Sequence, residues 1–196
     1  LYQILLSSII LISPIIILIR ILKNKEDKKR FLEKFGFSKK NKTQGKLIWF
    51  HGSSVGEIMS LLPLINHYEN IKSIKGILVT SNTTSSYKIL HKLNLKKTVH
   101  QYYPIDHDFI VKKFLRHWQP SIAVFVDSEI WPSMFKFLKK FNISLIQLNT
   151  RITQKSFQRW MKLKNFSYSV FKNISASYPQ NNETNYYLKK FKVKKI

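Results

Sequence analysis

The chain has 196 residues, 44% of them hydrophobic, enough for one domain with a real core. Lys and Arg number 34 against 10 Asp and Glu, a formal net charge of +24 that favours anionic partners. The excess is nearly all Lys, with Arg only at 20, 30, 116, 151 and 159, and no Arg cluster or reader motif points to nucleic acid. Cysteine is absent, which excludes disulfides, thiolate metal sites and a cysteine nucleophile. The six His contain no H-x-x-x-H pair, so no metal site is expected.

Leu1 to Leu22 is almost entirely apolar, broken by Tyr2, Gln3, Ser7, Ser8, Ser13, Pro14 and Arg20. About 20 such residues suffice to cross a bilayer core. Lys23-Asn24-Lys25-Glu26-Asp27-Lys28-Lys29-Arg30 follows, and positive charge beside an apolar segment marks the cytoplasmic side. Residues 1–22 are therefore expected to form a membrane-anchor helix. Residues 23–45 should be a basic juxtamembrane segment drawn to anionic lipid, and residues 46–196 a globular domain on the cytoplasmic face. Phe31 to Lys42 reads as a short amphipathic piece whose helix ends near Gly36.

From Lys46 onward the patterns alternate. Strands are expected at Lys46–His51, Gly76–Ser81, Val99–Tyr103, Ile122–Val126 and Ser144–Leu148, with a weak sixth at Asn173–Ala176. Helices are expected at Gly56–Asn70, Ser85–Leu93, Phe109–Trp118, Trp131–Phe141, Gln154–Phe171 and Asn182–Phe191. Asp106 or Asp108 suits an N-cap for the helix before Trp118, and Pro132 suits a first helical turn. This alternation implies an α/β fold, a Rossmann-like doubly wound parallel sheet with helices on both faces.

Three strand ends carry the chemistry. Strand 46–51 runs into Gly52-Ser53-Ser54-Val55-Gly56-Glu57. That loop admits three interpretations: a plain β–α turn with Glu57 as a first-turn acid, a G-x-S-x-G nucleophile elbow with Ser54 as nucleophile, or an acceptor cradle with Glu57 as general base. The hydrolase alternative would draw on Asp106 or Asp108 with His117. The fourth strand ends in Asp127-Ser128-Glu129-Ile130-Trp131-Pro132 and the fifth in Asn149-Thr150-Arg151-Ile152-Thr153. Carboxyl ends of parallel strands share one crevice, so Glu57, Glu129, Asn149 and Arg151 should converge there. The simpler roles are a helix-start acid for Glu129, a salt bridge from Arg151 to Asp127 or Glu129, and core packing for Trp131.

These segments together resemble the 3-deoxy-D-manno-octulosonic acid (Kdo) transferases, whose pattern runs S-V-G-E, E-T-E-L-W-P-N and N-A-R-L-S. Val99-His100-Gln101-Tyr102-Tyr103-Pro104-Ile105-Asp106 and the apolar N-terminus match as well. Asp127, Ser128, Ser133 and Thr150 depart from the pattern, as does Asn82-Thr83-Thr84-Ser85, which lacks the usual Pro and Gly. The resemblance implies the N-terminal, acceptor-binding half of a glycosyltransferase-B fold, with the donor-binding half absent and this chain inactive alone. It implies transfer of Kdo from CMP-Kdo to a lipid A precursor at the inner membrane, inverting and without metal or cofactor. Glu57 falls on the family's catalytic base and Glu129 on its second acid, with Ser53, Ser54, Gly56, Asn149 and Arg151 as substrate contacts. A non-catalytic membrane-associated binding domain is the other alternative.

Overall fold

In the computed structural model the structure describes residues 2–23 and 26–196, apart from the side chains of Ile4, Leu5 and Ile9. Leu1 of the expected anchor and Asn24 and Lys25 of the basic cluster lie outside these residues. Six strands, β1 (Lys46–His51), β2 (Ile74–Ser81), β3 (Thr98–Tyr102), β4 (Ile122–Val126), β5 (Ser144–Thr150) and β6 (Ala176–Pro179), form one parallel sheet in the order β3-β2-β1-β4-β5-β6. The helices are α1 (Tyr2–Leu22), α2 (Val55–Glu69), α3 (Thr84–Lys92), α4 (Asp108–Trp118), α5 (Pro132–Lys140), α6 (Gln154–Met161), α7 (Lys164–Phe171) and α8 (Asn182–Lys190).

Alternation along the strands builds two cores, because successive side chains point to opposite faces. Leu47, Trp49, Ala123 and Phe125 face α4, α5, α7 and α8. Ile48, Phe50, Val124 and Val126 face α2 and α3. Trp49 and Phe50 are wholly buried, one in each core. Full burial of a side chain such as Phe50 is worth roughly 1.5–3 kcal/mol. Strands covered on both faces read as continuous apolar runs, which is why β1 and β4 are legible from sequence.

The expected helix over 154–171 is two helices, α6 and α7, broken at Leu163. The break lets Trp160 stack on Phe166, and the Ser167 hydroxyl donates to the Trp160 and Leu163 carbonyls. The sixth strand starts later than expected. Asn173 follows the C-cap of α7, its side-chain amide donating back to the Ser169 and Val170 carbonyls. The N-cap of α4 is His107, neither Asp106 nor Asp108. Asp106 instead caps α5, accepting from the Ser133 and Met134 amides at 2.9 and 2.8 Å.

The expected bilayer-crossing anchor needs correction. Residues 2–22 are helical, but among the described residues no helix is long and apolar enough to cross a membrane. The polar breaks in α1 tie it to the domain: the Tyr2 hydroxyl donates to Asp106 at 2.6 Å, Gln3 bonds the Ser133 hydroxyl and the Asp108 amide, and Ser7 meets His107. At the other end Arg20 pairs with Glu26 at 3.0 Å. Leu11, Ile12, Ile15, Ile16, Leu18, Ile19 and Leu22 remain exposed, Leu11 at 82%.

The basic segment is likewise folded onto the domain. Glu26 also takes Lys34, and Arg30 lies over the rings of Tyr87 and Tyr102 while pairing with Glu33. A 3₁₀ turn at Phe31–Phe35 ends at Gly36, whose φ of 76° is left-handed. Glu33 accepts the Tyr102 amide, the Phe37 carbonyl accepts from Gln101, and the Lys34 carbonyl accepts the Ile105 amide.

Burial pushes the Asp106 carboxyl up to about 6, against the hydrogen bonds from Tyr2, Ser133 and Met134 that favour its charge; Asp108 adds to the rise. An acid whose folded value is raised holds its proton more tightly in the native state, so the native state loses stability as pH rises from the unfolded value toward the folded one. Relative to Asp106→Asn, the protein should lose about 1 kcal/mol per pH unit between pH 4 and 6, and no further above that. Chemical denaturation of both proteins across this range is the measurement. A pH-independent difference would refute the assignment.

Candidate active site

The strand order reverses between β1 and β4, both of which start from the middle of the sheet. Open parallel sheets bind ligands in the crevice beyond the carboxyl ends at such a switch point. Two loops flank it here, residues 52–54 after β1 and residues 127–131 after β4.

Ser54 is the N-cap of α2, its hydroxyl accepting the Glu57 amide. Glu57 turns back in return. Its carboxylate accepts the Ser53 amide at 2.7 Å and the Ser54 hydroxyl at 2.7 Å, a variant of the reciprocal capping box. So the first-turn role for Glu57 is realised in full, and a half-buried carboxylate is fixed at the rim. Two donors leave part of its acceptor capacity free, because a carboxylate offers about four lone-pair positions.

Glu129 stands across the switch point. Its carboxylate accepts the Trp131 indole N–H at 2.7 Å and lies 3.3 Å from His51 Nε2. Burial alone would raise its pKa. The His51 hydrogen bond and charge, with further bonds from Ser53 and Trp131, outweigh burial and hold it below the ordinary value. Trp131 is thus both core and ligand: it packs on Tyr103 at 4.9 Å and grips Glu129.

Ser53 joins the two acids. Its amide donates to Glu57, its hydroxyl adds to the stabilisation of the Glu129 charge, and the same hydroxyl accepts from Asn82 at 2.7 Å. Asn82 therefore belongs to the site although its segment departs from the family pattern.

The third motif sits on the same rim. Asp127, just past β4, and Asn149, near the end of β5, lie in the left-handed region, φ 64° and 50°, a conformation that Asp and Asn tolerate. Ser128 ties these loops by donating to the Arg151 carbonyl at 2.5 Å. Asn149 and Arg151 are exposed. Among the described residues Arg151 makes no ion pair with Asp127 or Glu129.

The hydrolase alternative is not assembled. Ser54 is committed to Glu57, Asp106 caps α5, Asp108 pairs with Lys136, and His117 bonds the Lys40 carbonyl. Sequence reasoning missed Asn82 and, closer to the acids, His51, which the sequence presents only as the end of an apolar run. Its signal is position: a buried His closing a central strand one residue before the glycine loop. Among the described residues no group of three or more His, Asp or Glu is close enough to hold a metal.

Sheet order, switch-point crevice and paired carboxylates define a Rossmann-like domain with a crevice between the β1 and β4 loops. Comparison with known proteins gives the family. Residues 29–196 match the family model of the 3-deoxy-D-manno-octulosonic-acid transferases (kdotransferases), and the chain belongs to that family. It is 39% identical over 161 residues to a 3-deoxy-D-manno-octulosonic acid transferase of Rickettsia bellii, covering 82% of this chain and 38% of the relative. A probable mitochondrial 3-deoxy-D-manno-octulosonic acid transferase of Arabidopsis thaliana is 35% identical over 141 residues, 72% of this chain and 32% of the relative. A bifunctional glycosyltransferase/methyltransferase of Fusobacterium nucleatum is 31% identical over 135 residues, 68% and 21%. The chain thus spans well under half the length of these relatives.

The two loop glycines differ. A Cβ on Gly52 would stand 3.0 Å from the Glu57 Cβ and 3.2 Å from its backbone carbon, whereas one on Gly56 meets nothing within 4 Å. Gly52→Ala should therefore cost about 1–3 kcal/mol through overpacking. Gly56→Ala should leave stability unchanged or raise it by up to ~1 kcal/mol, since Ala suits a helix better. Urea unfolding of both variants measures this, and equal losses would contradict the assigned packing.

Proposed function

We propose that this chain is the acceptor-binding half of a Kdo transferase, acting with a donor-binding half to move Kdo from CMP-Kdo to a lipid A precursor. What supports it is family membership together with one geometric observation: Glu57 and Glu129 meet at the switch point through Ser53. Glu57 serves as general base. It takes the proton of an acceptor hydroxyl as that oxygen bonds the anomeric carbon of Kdo, while the bond to the CMP phosphate breaks and the electron pair leaves with CMP. Attack opposite the leaving group inverts the configuration. No metal or dissociable cofactor takes part. Glu129 supplies the second fixed negative charge, and Ser53, Ser54, Gly56, Asn149 and Arg151 contact the substrates. Arg151 presents an exposed guanidinium suited to a phosphate or carboxylate. Positioning the substrates in the crevice supplies much of the remaining acceleration.

The membrane enters through α1. With one side tied to the domain and a row of Leu and Ile exposed, the helix suits lying in the plane of a bilayer surface. The surplus of Lys favours anionic lipid on the cytoplasmic face of the inner membrane. Tyr2 and Gln3 hold α1 beside the loops after β3 and β4, so a membrane beneath it lies next to the crevice.

In a chimaera completed with the second half of the Rickettsia bellii relative, Glu57→Gln should lower Kdo transfer by roughly 10²–10⁴-fold, the usual worth of a general base. Transfer within a few-fold of the parent would remove Glu57 from that role. The chain should bind vesicles containing anionic lipid, and part of that binding should survive ~1 M salt, where charges are screened beyond about 3 Å. Replacing Ile15 and Ile19 by Ser should abolish the salt-resistant part. Binding lost entirely in salt by the parent chain would mean charge alone holds it.

A further inference from the structure

His51 has no exposed surface and sits where β1 ends, yet it touches Glu129, a crevice acid that makes no ion pair with Lys or Arg among the described residues. Its ring is clamped, stacked on Tyr103 at 4.0 Å and edge-on to Phe125 at 4.8 Å. Such a ring cannot turn away, so its effect on Glu129 depends on which nitrogen carries hydrogen.

Nε2 lies 3.3 Å from the Glu129 carboxylate, which in its charged form only accepts. Nδ1 lies 2.9 Å from the Thr80 hydroxyl and 3.1 Å from the Thr80 carbonyl. These partners differ: the carbonyl can only accept, whereas the hydroxyl can accept or donate. The Thr80 hydroxyl is in turn fixed by Trp49, whose indole N–H, a donor only, reaches it at 2.9 Å. That contact takes up acceptor capacity on the hydroxyl and leaves its hydrogen for Nδ1.

We propose that His51 is the positioning residue of Glu129, donating Nε2–H to the carboxylate in both charge states of the ring, because Thr80 presents Nδ1 with a donor and an acceptor together. When the ring is neutral, the Thr80 hydroxyl donates to a bare Nδ1. When the ring is a cation, Nδ1–H donates to the Thr80 carbonyl and hydroxyl. The proton at Nε2 stays in place in either case, and Glu129 stays an oriented carboxylate. The other titratable groups facing the pair are Tyr103, whose buried hydroxyl feels the Glu129 charge, and Glu57, linked through Ser53. Hydrogen bonding of this kind to the charged form agrees with the downward displacement of Glu129.

The consequence for transfer rests on the crevice being the active site; the ring chemistry does not. Nitrogen-15 NMR on the 196-residue chain labelled at histidine separates the two. Across a pH titration, Nε2 of His51 should keep the shift of a protonated nitrogen throughout, with only Nδ1 changing. In Thr80→Val the neutral ring faces an acceptor at each nitrogen and a donor at neither, so the Nδ1–H form should gain population and the Nε2–H correlation should weaken at alkaline pH. Thr80→Ser, which keeps the hydroxyl, should restore it. A neutral parent ring with a bare Nε2, or a Thr80→Val ring whose tautomer balance equals the parent's, overturns the proposal. In the completed enzyme, Thr80→Val should lose transfer on the alkaline side of the profile and keep it on the acid side. A tautomer switch without that loss would leave the positioning intact and remove Glu129 from catalysis.

Discussion

Strand β1 pairs with β2 through Lys46 to His51 and with β4 through Ile48 to His51, so both of its edges are consumed by hydrogen bonds. Both of its faces are consumed as well, by Leu47 and Trp49 on one side and Ile48 and Phe50 on the other. A strand fixed in four directions cannot slip in register, since a shift of one residue would carry Trp49 into the wrong core. The position of its last residue is therefore dictated by the interior. The ladder extends one step further, with the Gly52 amide donating to the Thr80 carbonyl, before the loop departs. Glu57 and Glu129 inherit their separation from this arrangement, because each hangs from a strand that the sheet does not let move.

That rigidity explains which parts were legible in the sequence. β1 and β4 fall where the apolar runs place them, since full burial leaves one solution. The end of β5 is less plain. Asn149 and Thr150 are polar, yet the strand continues through them because Thr150 is buried and its hydroxyl bonds Ser177. Position 163 was illegible for another reason: the amphipathic spacing of 154–171 continues across it, and only the meeting of Trp160 with Phe166 requires a break. Asp106 shows the limit of local rules. A carboxylate next to a helix start reads as that helix's cap, but this one reaches a helix 27 residues on, a choice made by tertiary packing. At the site, Glu57 was legible as a first-turn acid, whereas Ser54, which the sequence offered as a nucleophile, is the N-cap of α2. His51 was not legible, because a polar residue closing an apolar strand carries no periodic signal of its own.

The charge imbalance has a structural side. All ten acids of the chain accept a hydrogen bond: Glu26, Asp27, Glu33, Glu57, Glu69, Asp106, Asp108, Asp127, Glu129 and Glu183 each hold a backbone or side-chain donor. Lysine, far more numerous, is spread over the helices. Negative charge is thus local and structural, whereas positive charge is diffuse and sets the long-range field. An anion approaching the crevice meets attraction at distance and fixed carboxylates only at contact.

The segment between α1 and β1 has one more effect. By lying along β3, with Glu33 on the Tyr102 amide and the Phe37 carbonyl on Gln101, it occupies the outer flank of the sheet. The opposite flank is closed too, where the Ser177 amide on β6 donates to the Lys195 carbonyl. Unguarded flanks invite strand addition and runaway cross-strand assembly. Here the chain itself occupies both, which blunts strand addition by a second copy.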